Sequence, residues 1–402
     1  MRPSPPFRPP STRPSQGSLS RLMVPMKNFD ERNVYFDTLV NSSGLIWMSQ
    51  NTNHATAHPH VTAAIAECVA RGEFHLYAPP LGLEKLRQKI TQDLGGEGLT
   101  TVVTDGGVSG LYHLCRSLLG PGDELLTTDP TWKWPLVFAK DAGARTVQIP
   151  IYDPSTGYKP TADLIEEHIS ERTKIVYLVD PNNPLGSTLN RTEWKAIVAV
   201  LKRRNVILIQ DCTYREFAQD HFLASELYRE NTITITSFSK WLGLAGLRVG
   251  ALTGPADLVE KIAGGFPNSL GSSVLAQRAA IAGLEVKAEW FPPVLEEQRR
   301  NQKEIKKGVD QIEGLSIPIY PSNGNFLIIE CEAAGVVPEA LCAAYRKHDV
   351  LIRQGAYHSG RFGHRFVKVS TSVPADWADK FVRLLPEMIS DSRKIGPVPN
   401  QF

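Results

Sequence analysis

The sequence predicts an α/β fold, with a mainly parallel seven-stranded sheet between helices in a large domain and a small α+β domain beside it. Three observations carry that expectation. From about residue 58, short apolar runs such as IVYLV and VILI alternate with helical stretches, the texture of βα units. The runs are apolar throughout, as strands covered by helices on both faces must be. After residues 274–284 the alternation gives way to short strands mixed with helices.

Seven strands are expected at 101–104, 124–129, 145–151, 174–180, 206–211, 233–237 and 248–253. Between them, Leu111, Leu114, Cys115 and Leu118 recur at helical spacing, and TEWKAIVAVLKRR follows a similar rule. Each presents one apolar stripe for packing. Further on come a long charged helix over 295–312, the segment YPSNGNFLIIE, a helix near 338–347, and the strands VLIRQ and RFVKVST. The large domain is therefore assigned to 58–290, and the small one to 30–57 with 291–395. Residues 1–29 hold seven prolines, five serines and no acidic residue, too little apolar surface to offset ordering, so disorder is expected. Their basic composition also suits a transit peptide, but the prolines oppose the amphipathic helix such peptides form. A start site misassigned upstream of Met23 or Met26 explains the segment equally well, and the expected location is cytoplasmic.

The chain has 402 residues, 42% hydrophobic and 21% charged, with a formal charge of +2. That charge gathers no nucleic acid, and no apolar run approaches the roughly 18 residues needed to span a bilayer. Small-molecule partners are expected. Cys68, Cys115, Cys212, Cys331 and Cys342 are scattered without a CxxC pair, which reads as reduced core thiols. His54, His58 and His60 in HATAHPH lack a carboxylate or cysteine at ligand spacing and read as loop or helix-start residues, so no metal is expected.

Four polar segments fall at or just after expected strand ends, where open α/β sheets bind ligands. TDGGVSG (104–110) offers glycines and a helix N-terminus to an anion. DPNNPLG (180–186) is a stiff loop presenting asparagine amides. DCTY (211–214) places an aspartate at the end of an apolar strand, costly unless it meets a cation or stays partly wet. SFSKWLGLAGLR sets Lys240 among small and apolar neighbours, with Ser237, Ser239 and Arg248 forming a phosphate cradle. Taken together these call for a ligand with a phosphate, a cationic ring nitrogen and a carbonyl. Pyridoxal 5′-phosphate has all three.

SFSKWLGLAGLRVG and DPNNPLG, with the Asn183, Asp211, Tyr214, Lys240 and Arg248 spacings, resemble the class I/II aminotransferases of the fold-type I pyridoxal-phosphate enzymes over nearly all of residues 30–390. The resemblance implies that Lys240 forms the internal aldimine and shuttles the proton that follows it through a quinonoid. It implies that Asp211 protonates the pyridine nitrogen, and that Asn183 and Tyr214 bind the phenolic oxygen. Ser237, Ser239, Arg248 and the amides of Gly107 and Val108 then hold the phosphate, and Trp132 stacks on the ring. Tyr77 matches a tyrosine that family dimers donate to the neighbouring phosphate, which implies a homodimer with shared sites. Asn53 falls where the family's N-terminal segment lines the substrate pocket.

The sequence departs from the family pattern at Asp180 and Leu185 in the asparagine–proline loop, and at Val108, where the contact must be through backbone. It departs again in GHRFVKVSTSVP, where Lys368 occupies the position of the usual carboxylate-gripping arginine. Strand alternation puts 366, 368 and 370 on one face and Arg365 on the other. Lys368, a loop arginine (Arg365 or Arg361), and a different anchor remain competing readings, with Lys368 preferred. His54, Lys133, Trp134, Asn323 and Asn325 are further pocket candidates whose polarity selects no side chain. The resemblance implies amino transfer between an α-amino acid and a 2-oxo acid. A specialised enzyme performing elimination, cyclisation or oxidation is the alternative.

Overall fold

The structure, a computed structural model, describes residues 29–266, 270–396 and 398, so the expectation for the N-terminal segment lies almost wholly outside the described residues. Among the described residues twelve strands succeed one another: β1 (Ile46–Trp47), β2 (Thr100–Thr104), β3 (Glu124–Asp129), β4 (Arg145–Pro150), β5 (Thr173–Val179), β6 (Ile207–Asp211), β7 (Thr232–Ser237), β8 (Gly250–Gly254), β9 (Phe326–Glu330), β10 (Val350–Leu351), β11 (Arg353–Gln354) and β12 (Phe366–Ser370). Strands β2 to β8 form one seven-stranded sheet in the order β2-β8-β7-β6-β5-β3-β4. All its neighbours are parallel except β8, which runs antiparallel to both β2 and β7.

Burial on both faces follows from the residues. Along β5, Ile175, Tyr177 and Val179 join one apolar core while Val176 and Leu178 join another, the two-residue alternation of a strand. The helix Arg191–Arg204 covers the second face with Trp194, Ile197 and Leu201. It begins in a capping box, Asn190 accepting from the amides of Thr192 and Glu193 while Glu193 accepts from that of Asn190, and ends on Lys202, Arg203 and Arg204, where cations suit the helix dipole.

The register brings one end of every inner strand to a common edge. Thr104 pairs with Gly250, and Gly250 with Ser237; Asp211 pairs with Ile235 and with Val179. Beside this sheet, β9, β11 and β12 form a three-stranded antiparallel sheet, and β1 pairs with β10. A third core there gathers Ile329, Val367 and Val369 with Leu341, Phe381 and Leu385 of flanking helices.

Two expected boundaries need correction. The seventh strand starts at Gly250, because Arg248 has φ +55° and closes the tight turn before it. The long helix spans Lys287–Asp310 despite Pro292 and Pro293. Two prolines argue for a later start, but Trp290 and Phe291 are buried in the main core, and Trp290 Nε1 donates to the Thr56 carbonyl at 3.0 Å; tertiary packing overrides local propensity.

Gly250 lets β8 lie against the turn after β2. A Cβ there would stand 2.5 Å from the Gly107 nitrogen and 2.8 Å from the Thr236 oxygen, and neither backbone atom can yield cheaply. Gly250→Ala is expected to lower stability by about 1–3 kcal/mol, measured as a reduced denaturant midpoint at unchanged slope.

Candidate active site

The strand ends open on a cavity of about 480 Å³. Asp211 closes β6 there, 4% exposed. Its oxygens accept from the Tyr177 hydroxyl at 2.6 Å and the Thr213 amide at 3.1 Å. Burial pushes this carboxyl above its ordinary value, against the pull of those donors and of Lys240. An acid in that state is stabilised by a cation brought against it.

Lys240 follows β7 and lines the same cavity. Its Nζ donates to the Gln50 carbonyl at 3.0 Å. Burial, then the charge of Arg248, push it down to about 8, with Asp211 opposing. A minority of this amine, far larger than for an ordinary lysine, is therefore neutral near physiological pH, the state a nucleophile requires.

The anion-binding end is made by backbone and turn. Gly106, at φ +79°, precedes the helix Gly107–Leu118 without a side-chain cap, so the first amides, Gly107 and Val108, are left for a ligand. Arg248 lies across Gly106, where a Cβ would stand 2.4 Å from its guanidinium. Its guanidinium donates to carbonyls, those of Ala245 at 2.9 Å and Asp105 at 3.5 Å. Ser237 and Ser239 line the same end.

Tyr214 accepts at its hydroxyl from Asn51 Nδ2 at 3.0 Å and Asn183 Nδ2 at 3.3 Å, leaving its own proton to donate. The Asn183 loop is anchored by Asp180, 2% exposed, which accepts from Thr188, Leu189, Trp194 and Gln210. Burial opposes ionisation of Asp180, but His221 at 3.3 Å and these donors hold its carboxyl below its ordinary value.

Lys368 on β12 is 3% exposed, with Nζ 3.4 Å from Asn183 Oδ1. Directly across β11–β12 stands Arg353, 7% exposed. Burial, then Arg353 and Lys240, push Lys368 well below its ordinary value.

Of the residues expected at the site, Gly107, Val108, Trp132, Asn183, Asp211, Tyr214, Ser237, Ser239, Lys240, Arg248 and Lys368 all line this cavity, as do Lys133 and Trp134. Asn53 does not and needs correction. Its amide is spent on the Trp241 carbonyl and the Ala55 amide, and Asn51 lines the cavity instead. His54 packs on Trp377, Asn325 bonds Asn51 and Ser372, and Asn323 accepts from Gln219. Arg365 is paired to Glu330 and Glu332 and lies over Tyr152, away from the cavity, and Arg361 lies over Phe362. Tyr77 is 79% exposed and outside the cavity lining. Sequence reasoning missed Tyr177 and Arg353. Their signals were a hydroxyl inside IVYLV and a guanidinium inside VLIRQ, each a polar group in an apolar strand that demands a partner.

A family profile described as aminotransferase class I and II matches residues 43–380. The chain belongs to the class I and II aminotransferases. It is 26% identical to the aspartate/prephenate aminotransferase of Thermus thermophilus, over 78% of this chain and 83% of that protein. It is 31% identical to the aromatic amino acid aminotransferase of Corynebacterium jeikeium, over 77% and 82%. In fold it is similar to the aspartate aminotransferase structure from Thermus thermophilus (TM-score 0.78, 21% identity, 95% of this chain and 100% of that one). The N-succinyldiaminopimelate aminotransferase from Mycobacterium tuberculosis is comparable (TM-score 0.79, 22% identity, 92% and 96%). Both solved structures bear on the fold alone. Members of this family use pyridoxal 5′-phosphate, and this chain is a pyridoxal-phosphate-dependent aminotransferase of the fold-type I architecture.

The cavity fits that cofactor. An uncapped helix N-terminus beside Arg248, a carboxyl made protonatable by burial, and an amine lowered towards neutrality match its phosphate, ring nitrogen and carbonyl. Only the neutral amine attacks a carbonyl. In cofactor-free protein the rate of aldehyde capture is therefore expected to rise with pH and level off above about 8, measured by stopped-flow absorbance; a midpoint near that of an ordinary lysine would contradict it.

Proposed function

We propose that this cavity is where the aminotransferase binds its cofactor and substrate, with Lys240 as the proton-transferring base and Lys368 with Arg353 as the anchor for the substrate α-carboxylate. The observation that carries this reading is the convergence of Asp211 and Lys240 on one cavity, the acid shifted up and the amine shifted down. Titratable groups perturbed by burial and brought together in one cleft mark a functional site.

When bound, pyridoxal 5′-phosphate supplies an electrophilic carbonyl and a ring that accepts negative charge from the substrate Cα. Asp211 would keep a proton on the ring nitrogen, with Tyr177 and Thr213 orienting its carboxylate. Tyr214, fixed by Asn51 and Asn183, donates to the phenolic oxygen. Arg248, Ser237, Ser239 and the amides of Gly107 and Val108 would hold the phosphate, and Trp132 would pack against the ring. Lys240 Nζ would take up and hold the proton of the substrate Cα, the proton movement that amino transfer requires. Arg353 and Lys368 fix the carboxylate, so the Cα–H bond presents to Lys240. A division into a cofactor-holding unit over 58–290 and a smaller one made of 30–57 with 291–395 is supported by the core of Ile46, Ile329, Val367 and Phe381, which lies wholly in the smaller unit, while the main core extends across it to Phe291, Val294 and Phe326.

Tyr77 supports a homodimer. It stands 79% exposed beside Leu76 at 67% and Phe74 at 56%, an apolar run suited to cover by a second copy, where it reaches the neighbouring phosphate. The five unpaired thiols suit a reducing compartment such as the cytoplasm. Among the described residues no helix is long and apolar enough to cross a membrane.

The test is an absorbance screen of the holoenzyme against single amino acids. Conversion of the cofactor to its amine form with one equivalent of 2-oxo acid is expected. Release of ammonia without the amine form would point to elimination instead.

The lowered pKa of Lys368 adds a pH dependence. Protonated Lys368 binds anions and the neutral amine does not, so the inhibition constant of a simple carboxylate such as valerate should rise with pH well before ordinary lysine titrates. Lys368→Arg should flatten that rise, and an unchanged profile would reject the assignment. Arg353→Ala should raise KM by about ten- to a hundredfold, the worth of a charged hydrogen bond.

A further inference from the structure

Behind the cofactor end of the cavity lies a buried ion pair that the mechanism above leaves unused. His221, in the loop after Tyr214, brings Nε2 to 3.1 Å from the Asp180 carbonyl oxygen, 3.3 Å from Asp180 Oδ2 and 3.9 Å from Cys212 Sγ. Its side chain is 9% exposed, and neither His221 nor Asp180 lines the cavity. Two oxygens face Nε2, so that atom carries a proton. Burial opposes a charge on the ring, but its neighbours Cys212 and Asp180 hold the imidazole well above its ordinary value. Burial also keeps the Cys212 thiol protonated, so the countercharge is that of Asp180.

No neutral acceptor could take the place of Asp180. Its Oδ1 accepts from Thr188 Oγ1 at 2.8 Å and the Leu189 amide at 3.1 Å, and its Oδ2 from Trp194 Nε1 at 3.2 Å and Gln210 Nε2 at 3.0 Å. The Leu189 amide and the Trp194 indole are donors only. Gln210 cannot turn about, because its Oε1 accepts from the Ala224 amide at 2.9 Å. An amide at position 180 has one oxygen and would set its NH2 against one of these donors in either orientation. A carboxylate satisfies all four, but a charge buried this deeply needs a cation. His221 is the ion-pair partner that Asp180 has among the described residues.

Both ends of the pair are rooted in segments that face the ligand. Asp180 leads through Pro181 and Asn182 to Asn183, and its amide donates to the Asp211 carbonyl at 3.0 Å. Cys212 stands between Asp211 and the Thr213 amide that orients it. Asn183 in turn reaches the Tyr214 hydroxyl at 3.3 Å. A shift of the turn at Asp180 is thus passed along the chain to Asn183, and to Asp211 through one backbone bond.

On the reading above, on which this inference rests, we infer that His221, paired with Asp180 behind the Asn183 loop, is a positioning residue that sets how Asn183 and Tyr214 meet the phenolic oxygen of the cofactor. It touches neither cofactor nor substrate. Without the cation, the Asp180 carboxyl would take up a proton or draw in water. One of its four donors would then lose its acceptor, and the turn that carries Asn183 would loosen.

The test follows the visible absorbance band of the substrate-free holoenzyme against pH. Hydrogen bonds donated to the phenolic oxygen favour the form of the bound cofactor with more negative charge there, so losing one moves the midpoint to higher pH. His221→Gln keeps a donor for the Asp180 carbonyl and drops the charge. It is expected to raise the midpoint by about one pH unit, a roughly tenfold change in that equilibrium, as Tyr214→Phe should by removing a donor outright. Asp180→Asn should do the same, and the double variant should move no further than either alone, because the two residues act as one pair. A residue that only supported the fold would lower Tm and leave the midpoint in place. An unchanged midpoint in both single variants, or shifts that add in the double one, would overturn the proposal. A measurement on the unaltered holoenzyme needs no variant to fold. At pH 8 an ordinary histidine is neutral, yet in nitrogen-15 spectra at least one of the ten histidines should remain doubly protonated; ten neutral rings would also overturn the proposal. A protein that takes up no pyridoxal 5′-phosphate would instead sink the parent reading.

Discussion

A carboxylate taken out of water must be met by donors and a cation, or it will not stay charged. Asp211 ends β6 under this constraint, and much of the surrounding architecture answers it. Tyr177 reaches it from the adjacent strand, and Thr213 from the turn that follows. These groups leave the carboxyl still raised, so the protein alone does not complete its environment. The same incompleteness recurs at Arg248, whose side chain is met by carbonyl oxygens, and at Lys368, crowded by Arg353 and Lys240. Groups left unbalanced in this manner make a binding site pre-organised for charges of opposite sign.

Balanced charges are arranged differently. Asp180 begins the Asn183 loop, where the family pattern has an amide, and a substitution of that kind adds a buried negative charge. Here five groups converge on it, His221 among them, and the carboxyl is lowered. Burial opposes the charge of His221, but contact with Cys212 and Asp180 leaves the imidazole well above its ordinary value. The departure is therefore absorbed behind the loop, and Asn183 still reaches Tyr214.

The cofactor end of the site was legible in the sequence because its residues sit in contiguous segments at strand ends. Glycine turns, the serine–lysine segment and the aspartate closing an apolar run each carry a local signature, and the sheet that gathers them follows from binary pattern and spacing. The substrate end was not legible in the same way. Arg353 reaches the cavity only because β11 pairs with β12 in a register that sets it opposite Lys368, and Lys133, though a candidate in the sequence, meets Tyr357 only through the tertiary fold. Such contacts join residues more than two hundred positions apart in chain order, or depend on pairing that no local window contains. Asn53 misled for a related reason, since which of two nearby asparagines turns inward depends on the φ of +54° at Asn51. The proline pair in the helix Lys287–Asp310 misled because buried aromatics ahead of it outweighed local propensity.

Strand β8 runs against its neighbours, so the chain leaves β7 and re-enters the sheet at the same edge. The segment carrying Lys240 and Arg248 is consequently a closed hairpin clamped by hydrogen-bonded strands at both roots. The parallel strands instead return through crossovers that can lengthen at a distance from the chemistry. Variation in chain length among descendants of this protein should accumulate in those crossovers, whereas an insertion of even one residue between positions 237 and 250 would shift amine and guanidinium relative to each other.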